Sequence, residues 1–123
     1  MTPREAHRAR YIEGWDFMDP EKLLASIAPG FRFDDPTDPA PITADTLVAY
    51  MPVWPEKAAA LGGSFDFEMT SRTVEDKDGI LTEWYWWVLK GTPAQGSALI
   101  RTCDDGVMFE GLTYFRSPWP LLR

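Results

Sequence analysis

Hydrophobic positions along the chain change period near its middle. Up to about residue 63 they recur every three to four residues, and beyond it they alternate, so helices come first and strands after. Pro3 to Met18 reads as an amphipathic helix with Tyr11, Trp15 and Met18 at i, i+4 and i+7 on one face. Asp19 then stands as N-cap with Pro20 at the first helical position. This second helix carries Leu23, Leu24 and Ile27 and stops at Ala28-Pro29-Gly30. A short strand, Phe31 to Asp35, follows, and after it a Pro-rich loop through Asp38, Pro39 and Pro41. Thr43 caps a third helix burying Leu47, Val48 and Met51. Pro52 and Pro55 interrupt it before Glu56 to Leu61 resumes and Gly62-Gly63 ends it.

Four strands are predicted in the second half: Phe65 to Val74, Ile80 to Lys90, Ser97 to Cys103 and Val107 to Phe115. Asp78-Gly79 and Asp105-Gly106 are hairpin signals, because a type I′ turn needs positive φ. Gly91 to Gly96 is a looser connection. Helices followed by a meander make an α+β domain, a curved antiparallel sheet on three N-terminal helices. Residues 1–123 are read as one domain, and a sheet curled over helices leaves a conical hollow at one end.

The register of the last hairpin follows by counting outward from Asp105-Gly106. Arg101 then faces Glu110, Leu99 faces Leu112 and Ser97 faces Tyr114. The Arg101–Glu110 pair is either a surface salt bridge or an ion pair lining the hollow. In the run Trp84-Tyr85-Trp86-Trp87, Trp84 and Trp86 share one face while Tyr85 and Trp87 share the other. Large rings on both faces imply cover on both sides, the helices on one and a second subunit on the other, hence a homodimer through the outer face.

Six Trp and seven Phe in 123 residues add an aromatic core or an aromatic-lined cavity to this picture. A formal net charge of −7 argues against nucleic-acid binding, which needs a basic footprint. One cysteine, Cys103, and one histidine, His7, leave no disulfide framework and no familiar zinc constellation, so neither metal nor cofactor is expected. Charges at Arg4 and Glu5 stand where a signal peptide has its apolar run, and no apolar stretch approaches a membrane helix. A cytoplasmic location is the expectation.

Candidate chemistry centres on Phe31-Arg32-Phe33-Asp34-Asp35-Pro36. Alternation puts Asp35 on the face of Phe31 and Phe33. A carboxylate beside apolar surface is poorly solvated, its pKa tends to rise, and it can serve as a general base. Equally, Asp before Pro is a common turn start, so Asp35 reads either as a pocket base or as a turn residue.

This order of elements, with the Asp-Asp-Pro strand end and the Asp-Gly-Val hairpin leading into Leu112-Thr113-Tyr114-Phe115, resembles the nuclear transport factor 2-like superfamily. That group includes the SnoaL-like polyketide cyclases and ketosteroid isomerase, and the fold implied is the cystatin-like cone. The resemblance implies that Asp35 shuttles a proton and that Tyr11 steadies an oxyanion. It departs at Leu99, where the isomerase has a protonated Asp that leucine cannot replace, so steroid isomerisation is not expected.

Two readings follow. In one the protein is a cofactor-independent acid–base enzyme acting on a small hydrophobic molecule by isomerisation, cyclisation, dehydration or hydrolysis. Asp35 and Tyr11 would be catalytic, and Trp15, Phe33, Trp84, Trp86, Leu99, Arg101, Glu110, Leu112 and Tyr114 would form the pocket. In the other, the same hollow binds a ligand or serves as a dimerising scaffold without chemistry.

Overall fold

A computed structural model describes residues 1–123. Four short helices, α1 (Pro3–Asp16), α2 (Pro20–Ala25), α3 (Ala44–Tyr50) and α4 (Val53–Ala60), pack on one face of a six-stranded sheet. The strands are β1 (Ile27–Asp34), β2 (Ile42–Thr43), β3 (Phe67–Lys77), β4 (Ile80–Leu89), β5 (Gln95–Cys103) and β6 (Gly106–Arg116), in the order β2-β1-β6-β5-β4-β3. β3 to β6 form the antiparallel meander the alternation predicts. The sheet is nonetheless mixed, because β1 pairs with β6 in parallel. β2 is too short to carry a period-2 signal and was not foreseen.

The helix starts follow their caps. Thr2 accepts from the Glu5 amide and the Glu5 carboxylate reaches back to the Thr2 amide, closing a capping box. Asp19 caps α2 through the Lys22 amide, with Pro20 at N1 as expected. The ends depart from expectation. α1 stops at Asp16, two residues before the predicted Met18, which turns the chain with φ +49°. The predicted third helix is two helices, and Pro55 sits in the first turn of α4, where its missing N–H costs nothing. Ile27 to Gly30, read as the end of a helix, belongs to β1, whose ladder skips between Ile27 and Arg32 to accommodate Pro29 and Gly30.

The decisive correction is in the last hairpin. Lys77 pairs with Ile80 around Asp78-Gly79, both at positive φ, as a type I′ turn requires. In the β5–β6 hairpin the turn is instead Asp104-Asp105, with Cys103 opposite Gly106. A bulge between Arg101 and Thr102 then leaves Met108 unpaired. Glu110 therefore faces Ile100, Leu112 faces Ala98, and Arg101 faces Phe109. A one-residue slip sends a side chain to the opposite face. Glu110 points into the core while Arg101 is exposed on the outer face, so the expected Arg101–Glu110 pair does not exist.

The inner face carries Leu81, Glu83, Tyr85, Trp87 and Leu89 of β4, alongside Ala98 and Ile100 of β5. Trp84, Trp86 and Leu99 lie on the outer face, away from the helices. α1 crosses α2 at Gly14, where an added Cβ would come within 2.9 Å of the Leu23 backbone. Gly14→Ala should gain up to about 1 kcal/mol of helix propensity. It should lose more, about 1–3 kcal/mol, by forcing the helices apart. Urea denaturation is expected to show a net loss.

Candidate active site

Three carboxylates are buried under the helices; Glu83 is paired with Arg8 and Arg72, and the surroundings of the other two, Asp35 and Glu110, differ. Asp35 closes β1 on the face of Phe31 and Phe33, as the alternation predicts, and is fully buried. Its Oδ1 accepts from the Thr37 amide at 2.9 Å, the Thr37 hydroxyl at 2.8 Å and the Tyr114 hydroxyl at 3.0 Å. Its Oδ2 accepts from the Tyr50 hydroxyl at 2.6 Å. Tyr50 in turn accepts from Trp54 Nε1 at 2.7 Å, across the Pro52 break between α3 and α4. The Lys57 ammonium completes the cluster, donating to Thr37 Oγ1 at 2.9 Å and lying over the Trp54 and Trp119 rings. Burial holds Lys57 below the usual lysine range, and it drives Tyr50 and Tyr114 far above the usual phenol range.

Asp35 is inward and buried, and of its two readings the geometry shows the turn residue, the acceptor of its own Asx turn. Four donors converge on it, and it does not line the aromatic cavity beside α1. Tyr11, its expected catalytic partner, bonds elsewhere.

That cavity, ≈ 230 Å³, lies between α1, β3 and the inner face of the sheet. Its walls are mostly aromatic, with Trp15, Phe33, Phe65, Phe67 and Trp87 in edge or tilted packing and Tyr85 beside them. Glu110 is the second carboxylate, 6% exposed, and it lies on the wall. Tyr11 donates to its Oε1 at 2.6 Å, and the Tyr85 hydroxyl lies at 3.4 Å from Oε2. Burial pushes the Glu110 carboxyl up; the Tyr11 hydrogen bond and the Arg8 charge pull the other way without cancelling it. The same burial, reinforced by Glu110, holds Tyr11 and Tyr85 well above the phenol range, so both stay as donors.

Of the residues expected around one site, Tyr11, Trp15, Phe33, Glu110 and Leu112 do line the cavity. Asp35 and Tyr114 form the neighbouring cluster instead. Trp84, Trp86, Leu99 and Arg101 lie on the outer face and do not line this cavity. The ring pair that faces inward is Tyr85 and Trp87. Sequence reasoning missed Arg8, Tyr50 and Trp54. Arg8 stands three residues before Tyr11 on one helix face, and Tyr50 with Trp54 has i, i+4 spacing, so the spacing signal was there.

Comparison with models of protein families finds no match, and comparison with curated proteins finds none. Solved structures do match. A nuclear transport factor 2-like protein from Anabaena variabilis superposes with a TM-score of 0.63 at 10% identity, over 94% of this chain and 88% of that one. The chain has the nuclear transport factor 2-like fold. A protein of unknown function from Methylobium petroleophilum, described as cystatin-like, gives a TM-score of 0.67 at 10% identity, covering 94% and 77%. A ketosteroid isomerase candidate from Kribbella flavida gives 0.60 at 13% identity, covering 96% and 82%. At such identities the nuclear transport factor 2-like likeness establishes the cone and leaves activity to the side chains.

Tyr50→Phe would strip Asp35 Oδ2 of its donor and Trp54 Nε1 of its acceptor. The expected loss is about 2–6 kcal/mol in urea unfolding, the cost of two unsatisfied buried groups at about 1–3 kcal/mol each. A loss under 0.5 kcal/mol, as for an ordinary surface change, would contradict the cluster's role.

Proposed function

We propose that the cavity takes up a compact, mostly apolar molecule and that Glu110 moves a proton on it without a cofactor. The observation that carries this reading is a single carboxyl, buried and raised, on the wall of an aromatic cavity. A carboxyl raised by burial keeps its proton to a higher pH than an ordinary glutamate and can lend it to a bound molecule. Tyr11 and Tyr85 would position Glu110 and stabilise its charge once the proton has left. The role first expected of Asp35 passes to Glu110, because Asp35 already accepts from four donors and stands off the cavity. Isomerisation, dehydration, cyclisation and hydrolysis all fit a lone acid–base group, and the Kribbella flavida neighbour is described within that range.

One observation favours the second reading, a binding protein without turnover. The Tyr11 and Tyr85 hydroxyls both point at Glu110, so neither is a free donor for a developing oxyanion. Glu110→Gln separates the two readings, since in an enzyme it should abolish turnover while ligand affinity stays within a few-fold.

The outer face supports a proposal of its own, a homodimer through the sheet. Trp84, Trp86 and Phe115 stack there with centroids 4.4 and 4.3 Å apart, and Phe115 is 57% exposed. One cross-strand row runs Arg32, Phe109, Arg101, Thr82, Glu75 from β1 to β3. A two-fold axis along the strands brings Arg32 of one copy over Glu75 of the other. Sedimentation at micromolar concentration should show a dimer. Glu75→Arg should weaken it and adding Arg32→Glu should restore it; a wild-type monomer would refute the proposal.

The Glu110 proton also has a stability consequence. Its folded-state pKa lies above the ordinary glutamate value of about 4.5, so the folded chain binds that proton more tightly than the unfolded chain. The contribution is full below about 4.5 and is lost as pH rises through the folded value. Glu110→Gln keeps an acceptor for Tyr11 but does not titrate. Its melting temperature relative to wild type should therefore rise between about pH 4 and about pH 7. A constant or falling difference would show that burial does not raise Glu110.

A further inference from the structure

The cavity wall carries hydrogen-bond donors that nothing in the protein satisfies. Arg8, on α1, is 5% exposed and lines the cavity. Its Nε lies 3.1 Å from Glu83 Oε1, close enough for ion pairing but off the line of a hydrogen bond, and it donates to no atom. Trp15 Nε1 and Trp87 Nε1, on the same wall, are also buried without an acceptor. All three are donors. An unsatisfied buried donor costs about 1–3 kcal/mol, and of the three the Arg8 guanidinium, which is charged, calls most strongly for an acceptor.

The charges point the same way. Glu83 is shared, because Arg72 donates to its Oε2 from Nε at 3.2 Å and from Nη2 at 2.9 Å. Two guanidinium groups thus lean on one carboxylate, and the better-aligned hydrogen bonds belong to the half-exposed Arg72. Glu110, the other acid near Arg8, is held toward its neutral form by burial. Asp16 is the remaining acid on the cavity wall, and it is exposed. Arg8 is left with a positive charge only partly matched and a planar fork suited to a carboxylate.

We propose that the natural ligand is a small aromatic or branched aliphatic carboxylic acid, its carboxylate set against Arg8 and its apolar part among the rings of Trp15, Phe33, Phe67 and Trp87. This rests on the reading of the cavity as a ligand site and adds the ligand's charge to it. At ≈ 230 Å³ the cavity falls below the ≈ 300–1,000 Å³ of sites for drug-sized ligands, which matches one ring or a fused pair. Asp16 and Glu110 would set a penalty against any acid too long to keep its carboxylate at Arg8.

The test is a tryptophan-fluorescence titration with phenylacetate and indole-3-acetate, each against its own amide. Acid and amide share shape and differ in charge. Wild-type protein should bind each acid at least tenfold more tightly than its amide near pH 7. Arg8→Met should erase that preference while leaving amide affinity within about threefold, and Arg8→Lys should retain part of it. Should Arg8→Met fail to fold, the wild-type ratio alone still decides. Equal binding of acid and amide would overturn the carboxylate assignment and leave the cavity reading intact. A preference that survives in Arg8→Met would also overturn it. Binding of neither would overturn both.

Discussion

The hydrogen bonding of the buried Asp35 carboxylate is the constraint on which the rest of the site depends. A carboxylate removed from water must be compensated by donors, and here they come from three parts of the chain: the turn at Thr37, the end of α3 at Tyr50 and the far end of β6 at Tyr114. Those bonds tie the open end of β1 to the broken helix and to the last strand. The C-terminal residues add a strap across the same loop, where Leu122 donates to the Pro36 carbonyl and Arg123 pairs with Asp34. Asp35 is committed to the architecture, and the open side of the cone is left to a different carboxyl.

That second carboxyl owes its position to a bulge. On the inner face Phe33, Glu110, Ile100 and Glu83 form one cross-strand row from β1 to β4. Without the extra residue at Met108, Glu110 would stand on the outer face beside Arg101. Instead it is buried among rings, with one short bond from Tyr11 and a charge nearby on Arg8. Of the three buried acids, Glu83 is held by Arg8 and Arg72, and the other two have opposite fates. Asp35 is surrounded by donors, whereas Glu110 is under-served and adjoins empty space. Chemistry and ligand binding favour the latter situation, because a group whose needs the fold already meets has little left to offer a substrate.

Much of the fold was legible in the sequence for physical reasons. The change of period near residue 63, the capping at Asp19-Pro20 and the Asp78-Gly79 turn each express a local rule that tertiary structure did not override. The inward face of Phe31, Phe33 and Asp35 followed from alternation alone. The failures were non-local. The parallel pairing of β1 with β6 joins segments some 80 residues apart, and no short-range pattern encodes it. The β5–β6 register failed because Asp105-Gly106 resembles a two-residue turn, whereas the chain turns one residue earlier and a bulge then shifts the register by one. That slip misplaced Arg101 and Glu110 together. The inward faces of Tyr85 and Trp87 were undecidable locally, since both faces of β4 are aromatic and pattern cannot rank two apolar faces.

Carboxyl-carbon NMR during ligand titration tests the division of labour between the two acids most directly. With phenylacetamide as a neutral probe and side-chain carboxyls labelled with carbon-13, the Glu110 resonance should titrate above the ordinary glutamate range. It should move as the probe fills the cavity, while the Asp35 resonance stays where it is. A probe that shifts Asp35 and leaves Glu110 unmoved would contradict the account.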